Sequence, residues 1–250
     1  MNCFMPIEVE TIAGVPCTVQ GPVDATTRVL ALHGWGRSKN DWIAARQDIR
    51  IFSIDLPGHG NSPPPSGAWG AREYAKWLEP ILAEIGRCVV VGHSFGGRVA
   101  LCAAAVSPEL VEGLVLSGVP IFRSAKRSSS SGLRFRKRLN LLGIYSDERL
   151  DRFRFERGSS DYKAVTGVMR DVFVRTVNED YSAEVAMVEC PILFFWGEDD
   201  SAVPLATAIT ANSLVNARSR LVVCQGDHFA VLTSSHFFWD QVVKMFVRGN

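Results

Sequence analysis

Apolar and polar residues alternate along residues 7–12 and again along Val15–Gln20, on either side of Ala13-Gly14. Period-two alternation around a glycine turn predicts an antiparallel hairpin with one face buried. The pattern then changes. Residues 28–32, 51–54, 88–91, 113–116, 192–196 and 221–224 are short, nearly continuous apolar runs. Runs of that kind fit strands covered on both faces, as in a parallel sheet. Helical spacing lies between them in Ala71–Ile85, Phe95–Val106, Leu205–Leu214 and residues 237–246. Pro80 falls inside the first of these and predicts a kink or break there. Strand alternating with helix predicts an α/β fold, a mostly parallel central sheet with helices on both faces.

The alternation is interrupted once. Residues 120–187 hold no convincing buried strand, and residues 133–142, 147–156 and 164–177 lean helical after a run of four serines at 128–131. We read this stretch as a helical insertion. It divides the chain into a core of residues 1–119 and 188–250 and an inserted unit of residues 120–187.

At 250 residues, 47% hydrophobic and 21% charged, the chain has ordinary soluble composition and ample length for one large α/β domain. A net charge of +1 excludes no partner, but its distribution is uneven. Twelve Lys and Arg against five Asp and Glu give residues 121–163 a charge of +7, and the rest of the chain carries −6. The six cysteines are scattered, with no CxxC and no Cys/His cluster, so free buried thiols and a reducing cytoplasm are expected. The opening MNCFMPIEVE lacks a basic segment followed by an apolar one, so no secretion signal is expected. No apolar run approaches the roughly 20 residues of a membrane span.

The densest chemical signal is Gly92-His93-Ser94-Phe95-Gly96, between an apolar run and a helical pattern. A serine flanked by glycines at such a junction describes a very sharp turn that projects the hydroxyl above the sheet edge. The helix behind it offers N–H groups and partial positive charge where an oxyanion would form. A serine hydroxyl needs a base to take its proton and a carboxylate to orient that base. His228 follows the run at 221–224, and the acidic cluster Glu198-Asp199-Asp200 follows the run at 192–196. In a parallel sheet these loops share the edge where α/β proteins bind ligands. Asp199 and Asp200 both remain candidates on these grounds, whereas Asp227 cannot easily turn back onto its own neighbour. His33, His59, His93 and His236 read as anchoring, packing or surface groups, and no histidine pair has metal-ligand spacing. The glycines at 92–97 do not form GxGxxG, so no nucleotide site and no cofactor are expected.

Taken together, Gly92-x-Ser94-x-Gly96, Leu32-His33-Gly34-Trp35-Gly36, Asp55-x-Pro57-Gly58-x-Gly60-x-Ser62, Gly197-x-x-Asp200-x-x-Val203-Pro204 and Gly226-x-His228 resemble the α/β-hydrolase superfamily over almost the whole chain. The resemblance implies Ser94 as nucleophile, His228 as general base and then acid, and Asp200, three residues after Gly197, as the orienting acid. It further implies an oxyanion hole from the backbone N–H groups of Trp35 and Phe95, and a cap formed by the insertion. Serine at the nucleophile position argues against dehalogenase and epoxide hydrolase chemistry.

Within the superfamily, the HGWG loop and basic insertion resemble carboxylesterases acting on the methyl ester of pimeloyl-acyl-carrier protein in biotin synthesis. Phe95 and the serine-rich turn depart from that pattern. The expected reaction is therefore ester hydrolysis through an acyl-enzyme on a small-molecule ester, with an acyl carrier protein or CoA-linked acyl group as the further partner. Arg134, Arg138, Arg152 and Arg154 are the candidate contacts for it. A thioesterase, a C–C bond hydrolase and an acyltransferase share the same machinery, and a hydrolase-fold ligand receptor is the non-enzymatic rival. Nucleic acid is not an expected partner, and a monomer is the expected state.

Overall fold

The computed structural model of the chain describes residues 7–43, 46, 48–123, 141, 146 and 160–247. One eight-stranded sheet organises it. β1 (Glu8–Ile12) and β2 (Val15–Gln20) form the expected antiparallel hairpin, turning at Ala13 and Gly14 with φ of 48° and 79°. The strands β3 (Thr27–Leu32), β4 (Ile49–Ile54), β5 (Cys88–His93), β6 (Val111–Ser117), β7 (Ile192–Gly197) and β8 (Ser219–Cys224) follow. Their order is β1-β2-β4-β3-β5-β6-β7-β8, parallel from β4 to β8, with β2 joined antiparallel to β4. The order reverses beside β3: the chain steps out to β4, then crosses back to β5 on β3's other side. The crevice at the carboxyl ends of β3 and β5 is where such sheets bind ligands.

Both faces of the sheet are covered, which is why its strands read as continuous apolar runs rather than alternating ones. Leu30, Leu32, Val90, Leu114, Leu116 and Phe194 point to one layer. That layer contains residues of α1 (Ala71–Ile85), α2 (Phe95–Val106) and α6 (Leu205–Leu214). Val29, Ala31, Val89, Val91, Val115 and Phe195 point to the other, against Trp42 and against Phe238, Trp239 and Val242 of α8 (Ser235–Phe246). α7 (Ala230–Thr233) joins β8's exit to α8. α1 runs unbroken through Pro80, contrary to the expected kink or break. Pro80 and Lys76 both lie on the exposed side, where water can take up the Lys76 carbonyl that loses its N–H partner.

Between β6 and β7 the described residues carry helices and no strand: α3 (Ser160–Ala164), α4 (Gly167–Thr176) and α5 (Ser182–Met187). The expected single helix over residues 164–177 is split at residues 165–166, where Thr166 is extended with φ −132° and ψ 170°. α5 was not foreseen; Tyr181 and Val185 bury its apolar side in the same core layer as α2. Residues 133–142 (Leu141 excepted) and 147–156 lie outside the described residues, and so do Arg134, Arg138, Arg152 and Arg154. α4 is tied to the start of α1: Arg175 donates to the Ala68 carbonyl at 2.7 Å and to Glu73 at 2.5 Å. Glu179 accepts from the Ala71 N–H at 3.2 Å, placing a carboxylate at that helix N-terminus. Among the described residues no helix is long and apolar enough to cross a membrane.

Candidate active site

Ser94 stands between β5 and α2 with φ 50° and ψ −110°, a backbone conformation that costs a non-glycine residue about 1–3 kcal/mol. Backbone hydrogen bonds to two neighbouring segments hold it there. The Ser94 N–H donates to Ser117 O of β6 at 2.8 Å, and the Gly96 N–H donates to His33 O beyond β3 at 3.1 Å. Such close approach leaves no room for side chains. A Cβ on Gly92 would lie 2.4 Å from the Gly97 Cα, and one on Gly96 would lie 2.5 Å from the carbonyl oxygens of both Leu32 and His33. These contacts are backbone and cannot swing aside. Gly96→Ala is therefore expected to cost about 3 kcal/mol of stability, at the upper end for overpacking. Urea unfolding of the variant measures it, and an unchanged midpoint would contradict the close approach.

Over this turn the three groups meet. His228 Nε2 lies 3.1 Å from Ser94 Oγ, and His228 Nδ1 lies 2.8 Å from Asp200 Oδ2. A carboxylate only accepts, so Nδ1 carries the proton and Nε2 presents its lone pair to the serine hydroxyl. Asp200 is buried and its Oδ1 accepts from the N–H groups of Ala202 (3.0 Å) and Val203 (2.7 Å), which fixes the carboxylate. Asp199, the rival on sequence grounds, is exposed. Asp227 accepts from the N–H of Phe229 at 2.8 Å, closing a local turn. Gly118, at φ +58°, lets the chain leaving β6 pass under His228, where a Cβ would come within 2.9 Å of the imidazole.

Trp35 and Phe95 face the serine from β3 and α2. A turn closed by Arg37 N–H to Gly34 O at 3.2 Å places Trp35 at its second position, whose N–H is outside that bond. Phe95 is the first residue of α2, so its N–H has no acceptor within the helix. His33 fastens the turn: the Leu56 N–H donates to its Nε2 at 3.0 Å, leaving Nδ1–H to donate to Gly34 O at 2.7 Å. Asp55 shapes the adjoining loop by accepting from the N–H groups of Lys39 (2.8 Å) and Asn61 (3.0 Å).

Ser94 and His228 open into a cavity of about 340 Å³ walled by Trp35, Phe95, Phe122, Phe173, Val177 and Val203. The aromatic walls lock together, with Trp35 edge-on to Phe95 and to Phe173 at centroid separations of 5.2 and 5.1 Å. A larger groove of about 500 Å³, beside Trp69, Trp77 and Pro63–Pro65, contains neither Ser94 nor His228.

Arg98 was not foreseen as part of the site. It lines the cavity while its guanidinium donates to Pro120 O at 2.9 Å and Thr176 O at 3.1 Å, tying the exits of β6 and α4 to α2, the helix behind Ser94. An arginine inside the apolar stretch FGGRVALCAAAV was the available signal.

Comparison with known proteins follows the same lines. Residues 29–242 match the model of the alpha/beta hydrolase family. A serine hydrolase-like protein of Dictyostelium discoideum is 34% identical over 120 residues, 44% of this chain and 33% of that one. The pimeloyl-[acyl-carrier protein] methyl ester esterase of Shewanella woodyi is 32% identical over 110 residues, 42% of this chain and 41% of that one. The chain thus spans between a third and two fifths of the length of these relatives. A hydrolase from Pseudomonas aeruginosa superposes with a TM-score of 0.70 at 18% identity, covering 99% of this chain and 100% of that one. With the family model spanning most of β3, all of β4 to β8, the elbow at Ser94 and the loops that bring His228 and Asp200 to it, the chain belongs to the alpha/beta hydrolase family.

Proposed function

We propose that the chain is a serine carboxylic-ester hydrolase working through an acyl-enzyme. The hydrogen-bonded sequence Ser94–His228–Asp200 above a strained elbow carries this reading. Ser94 Oγ attacks the ester carbonyl as His228 Nε2 takes its proton. The developing oxyanion is held by the Trp35 and Phe95 N–H groups, and the imidazolium is steadied by Asp200. His228 then gives the proton to the departing alcohol. Water enters, loses a proton to His228 and attacks the acyl-enzyme; the acid leaves and Ser94 regains its hydrogen. In this reading residues 120–187 cap the site, and Phe122, Phe173 and Val177 contribute the acyl wall from that segment.

The finer proposal is an acyl group delivered on an acidic carrier, in the manner of a pimeloyl-carrier methyl ester. Its support is the HGWG loop, the +7 charge of residues 121–163 and the partial similarity to the Shewanella woodyi enzyme. Hydrolysis of free methyl esters, acyl-CoA and acyl-carrier-protein esters at low and high salt tests it. The expected outcome is turnover of the esters with about a tenfold preference for the carrier that vanishes near 1 M salt, where screening falls to about 3 Å. Indifference to carrier and salt would remove the docking role and leave the esterase in place. Preference for the CoA thioester over every oxygen ester would reassign the chain as a thioesterase.

A further inference from the structure

His93 sits directly behind the machinery. It is 1% exposed, and its ring centroid lies 4.9 Å from that of His228. His93 Nε2 is 2.9 Å from the main-chain carbonyl of His228. A carbonyl only accepts, so this nitrogen carries the proton and Nδ1 is left as a lone pair. That Nδ1 is buried and without a hydrogen-bond partner. It faces the other catalytic loop, since a Cβ on Gly34 would come within 2.9 Å of it. Burial, then the neighbouring His228, hold the ring's pKa down at about 4, so at neutral pH it is uncharged.

An unpartnered buried nitrogen costs about 1–3 kcal/mol, and an apolar side chain would avoid that cost. What an apolar side chain lacks is the donor to the His228 carbonyl. We infer that His93 is a positioning residue: its ring spans from the Gly34 turn to the His228 main chain and fixes how far the base stands from Ser94 and the oxyanion hole. The inference rests on the acyl-enzyme reading above and deepens it. His93 touches no reacting atom. It acts through the backbone of the residue that does, and misplacing a catalytic group by about 1 Å is enough to lose roughly 100-fold in rate.

Two polar replacements that differ by one methylene test it. The amide nitrogen of Gln reaches about as far as His Nε2, whereas that of Asn stops short. With the full chain and a p-nitrophenyl ester, H93Q is expected to keep kcat within about threefold of wild type. H93N is expected to lose about 10- to 100-fold in kcat with KM changed less than twofold, because the acyl cavity is untouched. Thermal melting checks that both variants are folded at the assay temperature. Equal kcat in H93N and H93Q, or a loss confined to KM, overturns the inference. Labelling of Ser94 by a fluorophosphonate separates the two layers. If the wild type labels and the variants react alike, only the positioning role fails; if the wild type does not label, the acyl-enzyme reading fails with it.

Discussion

Ser94→Ala is expected to lower kcat/KM on a p-nitrophenyl ester by about 10⁴- to 10⁶-fold while leaving the melting temperature within a few degrees of wild type. The reasoning starts from the hydrogen bond at 3.1 Å between His228 Nε2 and Ser94 Oγ. In the proposed acyl-enzyme mechanism, removing the hydroxyl removes the nucleophile outright, and His228 has nothing left to deprotonate except water. The N–H groups of Trp35 and Phe95 remain, so a residue of activity about 10³-fold above the uncatalysed rate should persist. Stability changes little because alanine keeps the Cβ that makes φ 50° costly, and the bonds from the Ser94 N–H to Ser117 O and from the Gly96 N–H to His33 O are main-chain. Ser94→Gly separates the two roles of the position. It is equally inactive but sheds the backbone strain, against which stands about 0.5–1 kcal/mol of added unfolded-state entropy. Full esterase activity in Ser94→Ala would end the acyl-enzyme mechanism.

The parts of this arrangement that sequence discloses are those written in local pattern. Strands covered on both faces advertise themselves, and β3 to β8 fall on the six apolar runs, lengthened by one to three residues. The elbow is legible because its glycines are demanded by contacts with Leu32, His33 and Gly97 that only a missing Cβ permits. The choice between Asp199 and Asp200 came from the family resemblance, through the spacing from Gly197, and not from the local apolar pattern. It depends on which carboxylate turns inward to the Ala202 and Val203 N–H groups, a matter of loop trajectory. Least legible was the stretch from α3 to α5. These helices are short, and their placement depends on contacts such as Arg98 to Thr176 O and Arg175 to Glu73, which span 78 and 102 residues of chain. No window of sequence contains both ends of such a bond.

Acid is expected to unfold this protein well before its carboxylates are all protonated, through His33, His59 and His93. All three are buried. Burial lowers each pKa; His59 is further lowered by its neighbour His33 and His93 by His228, both to about 4, from an ordinary 6.5. The unfolded chain therefore binds protons that the folded chain refuses, so stability rises with pH across that interval. The contribution is complete above pH 6.5 and is lost as pH falls toward 4, below which the folded state protonates too and the loss levels off. At 1.36 kcal/mol per pKa unit, His59 and His93 each account for roughly 3 kcal/mol. Together they approach the whole stability of an ordinary domain, about 5–15 kcal/mol. The same three rings support the site: His33 fastens the Trp35 turn, His59 stacks on Phe95 at 5.5 Å, and His93 holds the His228 carbonyl. Activity should then disappear with the fold. Urea midpoints measured from pH 7.5 to 4.5 should hold nearly level down to about pH 6.5 and fall below it, with His59→Phe reducing the slope by about one proton's worth below pH 6. A midpoint flat down to pH 5 would mean that these rings accept protons in place, and that the loops around Ser94 open to water more readily than their packing implies.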